Sequence, residues 1–142
     1  MNEEKIISDS YVLNGDVQVI FWPNLDGIQA ATNIHVVAHC MGLQDPALFW
    51  AGHDHFFAQQ TGFYNADDDK LIDTAVMLGA EETAVRECYE SGAGLRLVEA
   101  LDVIAEERGI RGRPVFDING TMLFGSQPFG VYAEAIEDGL AN

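Results

Sequence analysis

The chain contains no Cys-x-x-Cys motif, and its 142 residues include two cysteines, Cys40 and Cys88, far apart in sequence. Two are too few for a disulfide scaffold, and the separation excludes both a zinc knuckle and a vicinal redox dithiol within one chain. Positive charge is scarce too: 7 Lys and Arg stand against 23 Asp and Glu, a net charge of -16. So anionic a surface repels a phosphate backbone instead of releasing its counterions, which excludes general nucleic-acid binding and equally disfavours anionic membranes. No apolar run approaches the roughly 20 residues of a membrane span. The first ten residues are acidic and polar where a secretory leader is basic and then apolar. These absences predict a cytoplasmic chain without anchor or leader, whose thiols lean towards the reduced form.

What is present is an ordinary apolar fraction of 48%, and a chain of this length buries roughly 70% of its unfolded surface. One folded domain is expected. Lys5 to Leu13 and Asp16 to Trp22 carry Ile, Val, Tyr and Phe on either side of Asn14-Gly15, a hairpin signal with a strand from Val17 ended by Pro23. The apolar period then becomes helical. Ile28, Ala31, Ile34, Val37, Ala38 and Met41 share a face, with Gly42 as the stop. Asp45 and Pro46 announce a second helix towards Gly62, Asp67 to Asp69 a third towards Gly79, and Glu81 and Glu82 a fourth towards Gly92. A fifth runs over Leu95 to Arg108 and stops at Gly109. Pro114 to Ile118, Asn119-Gly120 and Thr121 to Phe124 read as a hairpin, and Ser126 caps a last helix carrying Phe129, Tyr132 and Ile136.

The segment Gly109 to Pro128, GIRGRPVFDINGTMLFGSQP, resembles the cis-proline strand and following hairpin of DsbA-like thioredoxin-fold proteins. Phe49-Trp50-Ala51-Gly52-His53-Asp54-His55-Phe56-Phe57 is similar to the Phe-Trp-x-x-His-Asp-x-x-Phe helix of that family's inserted helical domain. Ala38-His39-Cys40 and Cys88-Tyr89-Glu90-Ser91-Gly92 also fall where such proteins often carry cysteines. The resemblance runs from about Tyr11 to the C-terminus. It implies an α/β fold: a truncated thioredoxin-like domain spanning 1–142, with thioredoxin-like parts at about 5–23 and 110–142. A helical insertion lies at about 26–109, the sheet is small and includes the C-terminal hairpin, and about six helices are expected. The family's first strand and its Cys-x-x-Cys precede the region matching Tyr11, and only ten residues precede it here. The missing strand is central, so its place is expected to be filled either by Glu4 to Leu13 folding back or by a second copy.

In the resembling family the peptide bond before the residue matching Pro114 is cis, and the backbone there accepts substrate chain. Pro114 is therefore the leading candidate, with Arg113 before it and Arg111 and Arg108 close by. These three arginines offer bidentate bonds to a carboxylate or phosphate; the plainer expectation pairs them with the chain's own acids. For Cys40 and Cys88 the resemblance implies neighbouring helices, hence a structural disulfide or buried thiols. His35 and His39 are i, i+4 neighbours, a minimal ligand pair lacking a third member, and His53 and His55 diverge on their helix. No metal and no cofactor is expected, and Trp22, Trp50 and the Phe49 to Phe63 stretch are expected in the core. The reading is a homodimeric, redox-inactive binding protein with a peptide or protein partner at the cis-proline edge. The alternatives are an enzyme related to the thiol-disulfide oxidoreductases, one handling a small anion through the arginines, and an incomplete reading frame. The family resembled is periplasmic or exported.

Overall fold

A computed structural model describes residues 2–142, with side chains from Lys5 onward. Two compact units emerge, Met1–Asn24 with Ala105–Asn142, and Leu25–Ile104.

The second unit is helical: α2 (Gln29–Gln44), α3 (Pro46–Ala58), a single 3-10 turn (Gln60–Phe63), α4 (Asp68–Met77), α5 (Glu82–Glu90) and most of α6 (Ala93–Glu107). Each start has a local cause. The Asp45 carboxylate accepts from the Ala47 amide at 2.8 Å, ahead of Pro46, and Asp67 accepts from the Lys70 amide at 2.8 Å. Glu81 caps α5 by accepting from Thr83 and Ala84, and those amide donors hold its carboxyl below the usual range. Helix α2 does not stop at Gly42. A Cβ there would lie 3.0 Å from the Phe49 Cβ, so this glycine serves the close approach of α2 and α3 rather than a left-handed cap. Val37, Met41, Phe56, Phe63, Leu71, Ile72, Val85 and Val98 form the core. Burying one such side chain is worth about 1.5–3 kcal/mol.

The cysteines are bonded. Cys40 on α2 and Cys88 on α5 form a disulfide with a Cα–Cα distance of 5.8 Å, closing a sequence separation of 48 residues; on the chain-entropy model such a loop is worth about 4 kcal/mol. Cys40 is 1% exposed. Gly94 opens the space for it, since a Cβ at 94 would come within 2.5 Å of the Cys40 sulfur and 2.9 Å of Val36.

In the first unit, α1 (Asn2–Ile7) continues into one turn of π-helix (Ser8–Val12), and after an irregular stretch the chain reappears as β1 (Val115–Ile118), β2 (Thr121–Phe124) and α7 (Phe129–Ala141). The strands pair antiparallel, Val115 with Phe124 and Ile118 with Thr121, and they make the two-stranded sheet found among the described residues. Ile7, Tyr132 and Ile136 are buried together, with Tyr11, Val17, Phe116, Leu123 and Phe129 packed against them.

This corrects the N-terminal expectation. Glu4 to Leu13 is helical rather than a returning strand, and Val17 to Trp22 forms no strand. The spacing of Ile7 and Tyr11 puts both towards α7, where Tyr11 Oη donates to Glu137 at 2.9 Å, while Lys5 and Asp9 add an i,i+4 ion pair. Asn14 donates its side-chain amide to the Ser10 carbonyl and so ends the helical run. Of the two Asn-Gly pairs, Asn119-Gly120 takes positive φ at both residues and turns a hairpin, whereas only Gly15 does so at the first pair. Helix α7 likewise begins at Phe129 with Pro128 before it and no side-chain cap, not at Ser126. Seven α-helices are described, the unforeseen one being α1.

Gly94→Ala tests the packing around the disulfide. Alanine favours a helix by about 1 kcal/mol, but overpacking costs about 1–3 kcal/mol. A lower melting temperature is expected; a higher one would show that the sulfur pair can yield.

Candidate functional site

The loop before β1 is built by a helix ending. Gly109, at φ +77°, lets the Ile110 amide donate to Ala105 at 2.9 Å and its own amide donate to Glu106 at 3.0 Å, the paired bonds of a Schellman cap. The chain then turns through Gly112, at φ +84°, whose carbonyl accepts from the Asn24 side-chain amide at 2.8 Å. The Arg113–Pro114 peptide bond is cis, and the Pro114 carbonyl accepts from the Gly125 amide at 2.9 Å. The far side of the hairpin is held by Tyr132, 1% exposed, whose hydroxyl accepts from the Gln127 amide at 3.0 Å and whose ring meets Phe116 edge-on at 4.8 Å. Pro114 is thus fixed from both ends of the hairpin.

The three arginines engage different neighbours. Arg108 lies over the Trp22 ring, 5.1 Å from its centroid, a cation–π contact. Arg111 pairs with Glu106 at 3.4 Å, both well exposed, so the pair contributes little. Arg113 is exposed and also engaged within the chain.

In the helical unit the histidines join an aromatic series. His39 presents Nδ1 to the His35 carbonyl at 2.7 Å, which assigns the proton to Nδ1, and meets Phe49 edge-on at 5.1 Å. His53 is buried between Trp50 and Phe57, at 5.3 and 4.9 Å, with Nδ1 3.1 Å from Asp54. His55 turns instead to Phe56 and Phe63. Among the described residues no group of three or more His, Cys, Asp or Glu is placed to hold a metal ion. No described helix is long and apolar enough to cross a membrane. Tyr89 donates to Asp68 at 2.7 Å, and burial together with that acceptor pushes its phenol well above the ordinary range. Arg86 is gripped by Asp69 and Glu90, each at 3.1 Å, an ion-pair cluster on α4 and α5.

With the helical unit, the capped turn and the cis Arg113–Pro114 hairpin in view, the family comparison is decisive: the model of the DSBA-like thioredoxin domain matches residues 16–137. The chain belongs to that family. No curated protein and no solved structure matches it. Both cysteines of this DSBA-like domain are joined to each other in the helical unit, and neither is free. The side chains of Asn24 and Tyr132, which hold the Pro114 hairpin, carry no signal in the sequence. Gly94 carries none either, because the apolar period is read from Leu95 and the helix begins two residues earlier, at Ala93.

Burial holds the His39 imidazole below its usual value, against the opposing effect of the His35 carbonyl. The unfolded chain therefore takes up a proton first as pH falls below about 6.5, and stability falls with it until the lower folded value is reached. The melting temperature should drop more steeply between pH 7 and pH 5 in the native chain than in His39→Gln; parallel slopes would contradict this.

Proposed function

We propose that this chain is a binding protein of the DSBA-like thioredoxin-domain family that performs no dithiol exchange, works as a homodimer, and offers the hairpin beside Pro114 to an extended partner. The observation that carries the reading is the bond between Cys40 and Cys88. Exchange requires a thiolate to attack a disulfide sulfur and a second thiol to resolve the mixed product. Both cysteine sulfurs of this chain lie in one bridge, and burial opposes the approach of an incoming thiolate to it: Cys40 is 1% exposed and Cys88 is half-buried. Self-association is supported by the exposed apolar side chains of the first unit, Leu13 at 76%, Ile20 at 65% and Phe124 at 57%. An extended partner fits the short β1 strand, which among the described residues pairs with β2. The arginines at 108, 111 and 113 give that end of an acidic chain its local positive charge. An anion-handling enzyme is supported less well, because Arg111 and Arg108 already have Glu106 and Trp22 as neighbours.

Insulin reduction and scrambled-ribonuclease refolding test the central part. Rates equal to those of the Cys40→Ala/Cys88→Ala double variant are expected. Turnover that disappears in the double variant would place exchange chemistry at the bridge and overturn the reading.

A further inference from the structure

The two sulfurs of the bridge are enclosed unequally. Cys40 is 1% exposed and belongs to the buried cluster that also holds Val36, Val37 and Met41. Cys88 belongs to the half-buried residues packed against that cluster. Helix α6 adds to the difference, since a Cβ at Gly94 would stand 2.5 Å from the Cys40 sulfur and 3.3 Å from the Cys88 sulfur, with Val36 at 2.9 Å on the Cys40 side. A mixed disulfide on Cys40 would drive a further sulfur and its carbon chain into this close-packed region. Cys88 keeps contact with solvent.

That asymmetry bears on how the bridge is made. The 142 residues hold no third cysteine that could pass a disulfide on, so closing the bridge takes an oxidant from outside. In thiol–disulfide exchange the oxidant first becomes bonded to one sulfur and is then displaced by the other. We infer that Cys88 is the sulfur at which an external disulfide enters and that Cys40 closes the bridge. The Cys88 thiolate attacks one sulfur of R–S–S–R, forming the mixed disulfide and releasing the first R–S⁻. The Cys40 thiolate, brought close by the pairing of α2 with α5 that sets the two Cα atoms 5.8 Å apart, attacks the Cys88 sulfur and releases the second R–S⁻. The two thiols give up two protons and two electrons, and the oxidant leaves as two molecules of R–SH. The chain is in this sense the product of a thiol-oxidising reaction that acts on it, an inference that stands independently of the binding reading above.

Single-cysteine variants test the order, with far-UV circular dichroism as the check on folding and mass spectrometry as the readout. The probe is cystamine, a cationic disulfide that a chain of net charge -16 attracts. Cys40→Ala should take up one cysteamine on Cys88 in native buffer, whereas Cys88→Ala should take one up on Cys40 only in denaturant. Equal uptake by the two folded variants, or faster uptake by Cys88→Ala, would overturn the inference. The native chain supplies a second measurement that needs no substitution and decides the matter where a variant fails to fold. After reduction of the bridge, return to native buffer and a limiting dose of N-ethylmaleimide, singly alkylated chains should carry the label on Cys88. A label shared equally with Cys40, or favouring it, would overturn the inference.

Discussion

A strand persists only where its amides and carbonyls meet those of a second strand, because a polar backbone group without a partner costs free energy once it leaves water. That requirement shapes the first unit. Residues 115–118 find a partner in residues 121–124, through a turn that Asn119 and Gly120 are free to make. Residues 17–22 have the composition of a strand and form none, the segment that would have returned alongside them being wound into a helix on Tyr132 and Ile136.

The helical unit meets the same requirement locally. Its helices satisfy their own backbones and need only end caps, which Asp45, Asp67 and Glu81 supply. Its cohesion then comes from burial, with the Cys40–Cys88 bridge tying α2 to α5 beneath a glycine of α6. A sulfur pair enclosed in this way serves the fold. The Pro114 hairpin is anchored separately, by the Gly125 amide on the Pro114 carbonyl and by Tyr132.

Much of this was legible in the residues. The helical period, the caps at Asp45, Asp67 and Glu81 and the second Asn-Gly turn all depend on local physics and appear where the sequence puts them. The N-terminal hairpin failed because its signal was also local, whereas the outcome depended on a distant partner: the i,i+4 pair of Ile7 and Tyr11 found α7, and that burial outweighed the turn preference of Asn14-Gly15. Gly42 misled for a related reason, its small size being used for the contact with Phe49 and not for a helix end. Around Pro114, the motif revealed the hairpin and the arginines. It did not reveal that Trp22 would shelter Arg108 or that Asn24 would hold Gly112, since both are contacts between residues more than 80 positions apart.

The account turns on the Cys40–Cys88 bridge being closed off inside the helical unit. Alkylation of the thiols set free by excess reduced glutathione, followed by mass spectrometry, measures this directly on the folded chain and on the chain in denaturant. The bridge should stay closed in the folded chain and open only where the chain is unfolded. Opening in the folded chain as fast as in denaturant would contradict the account.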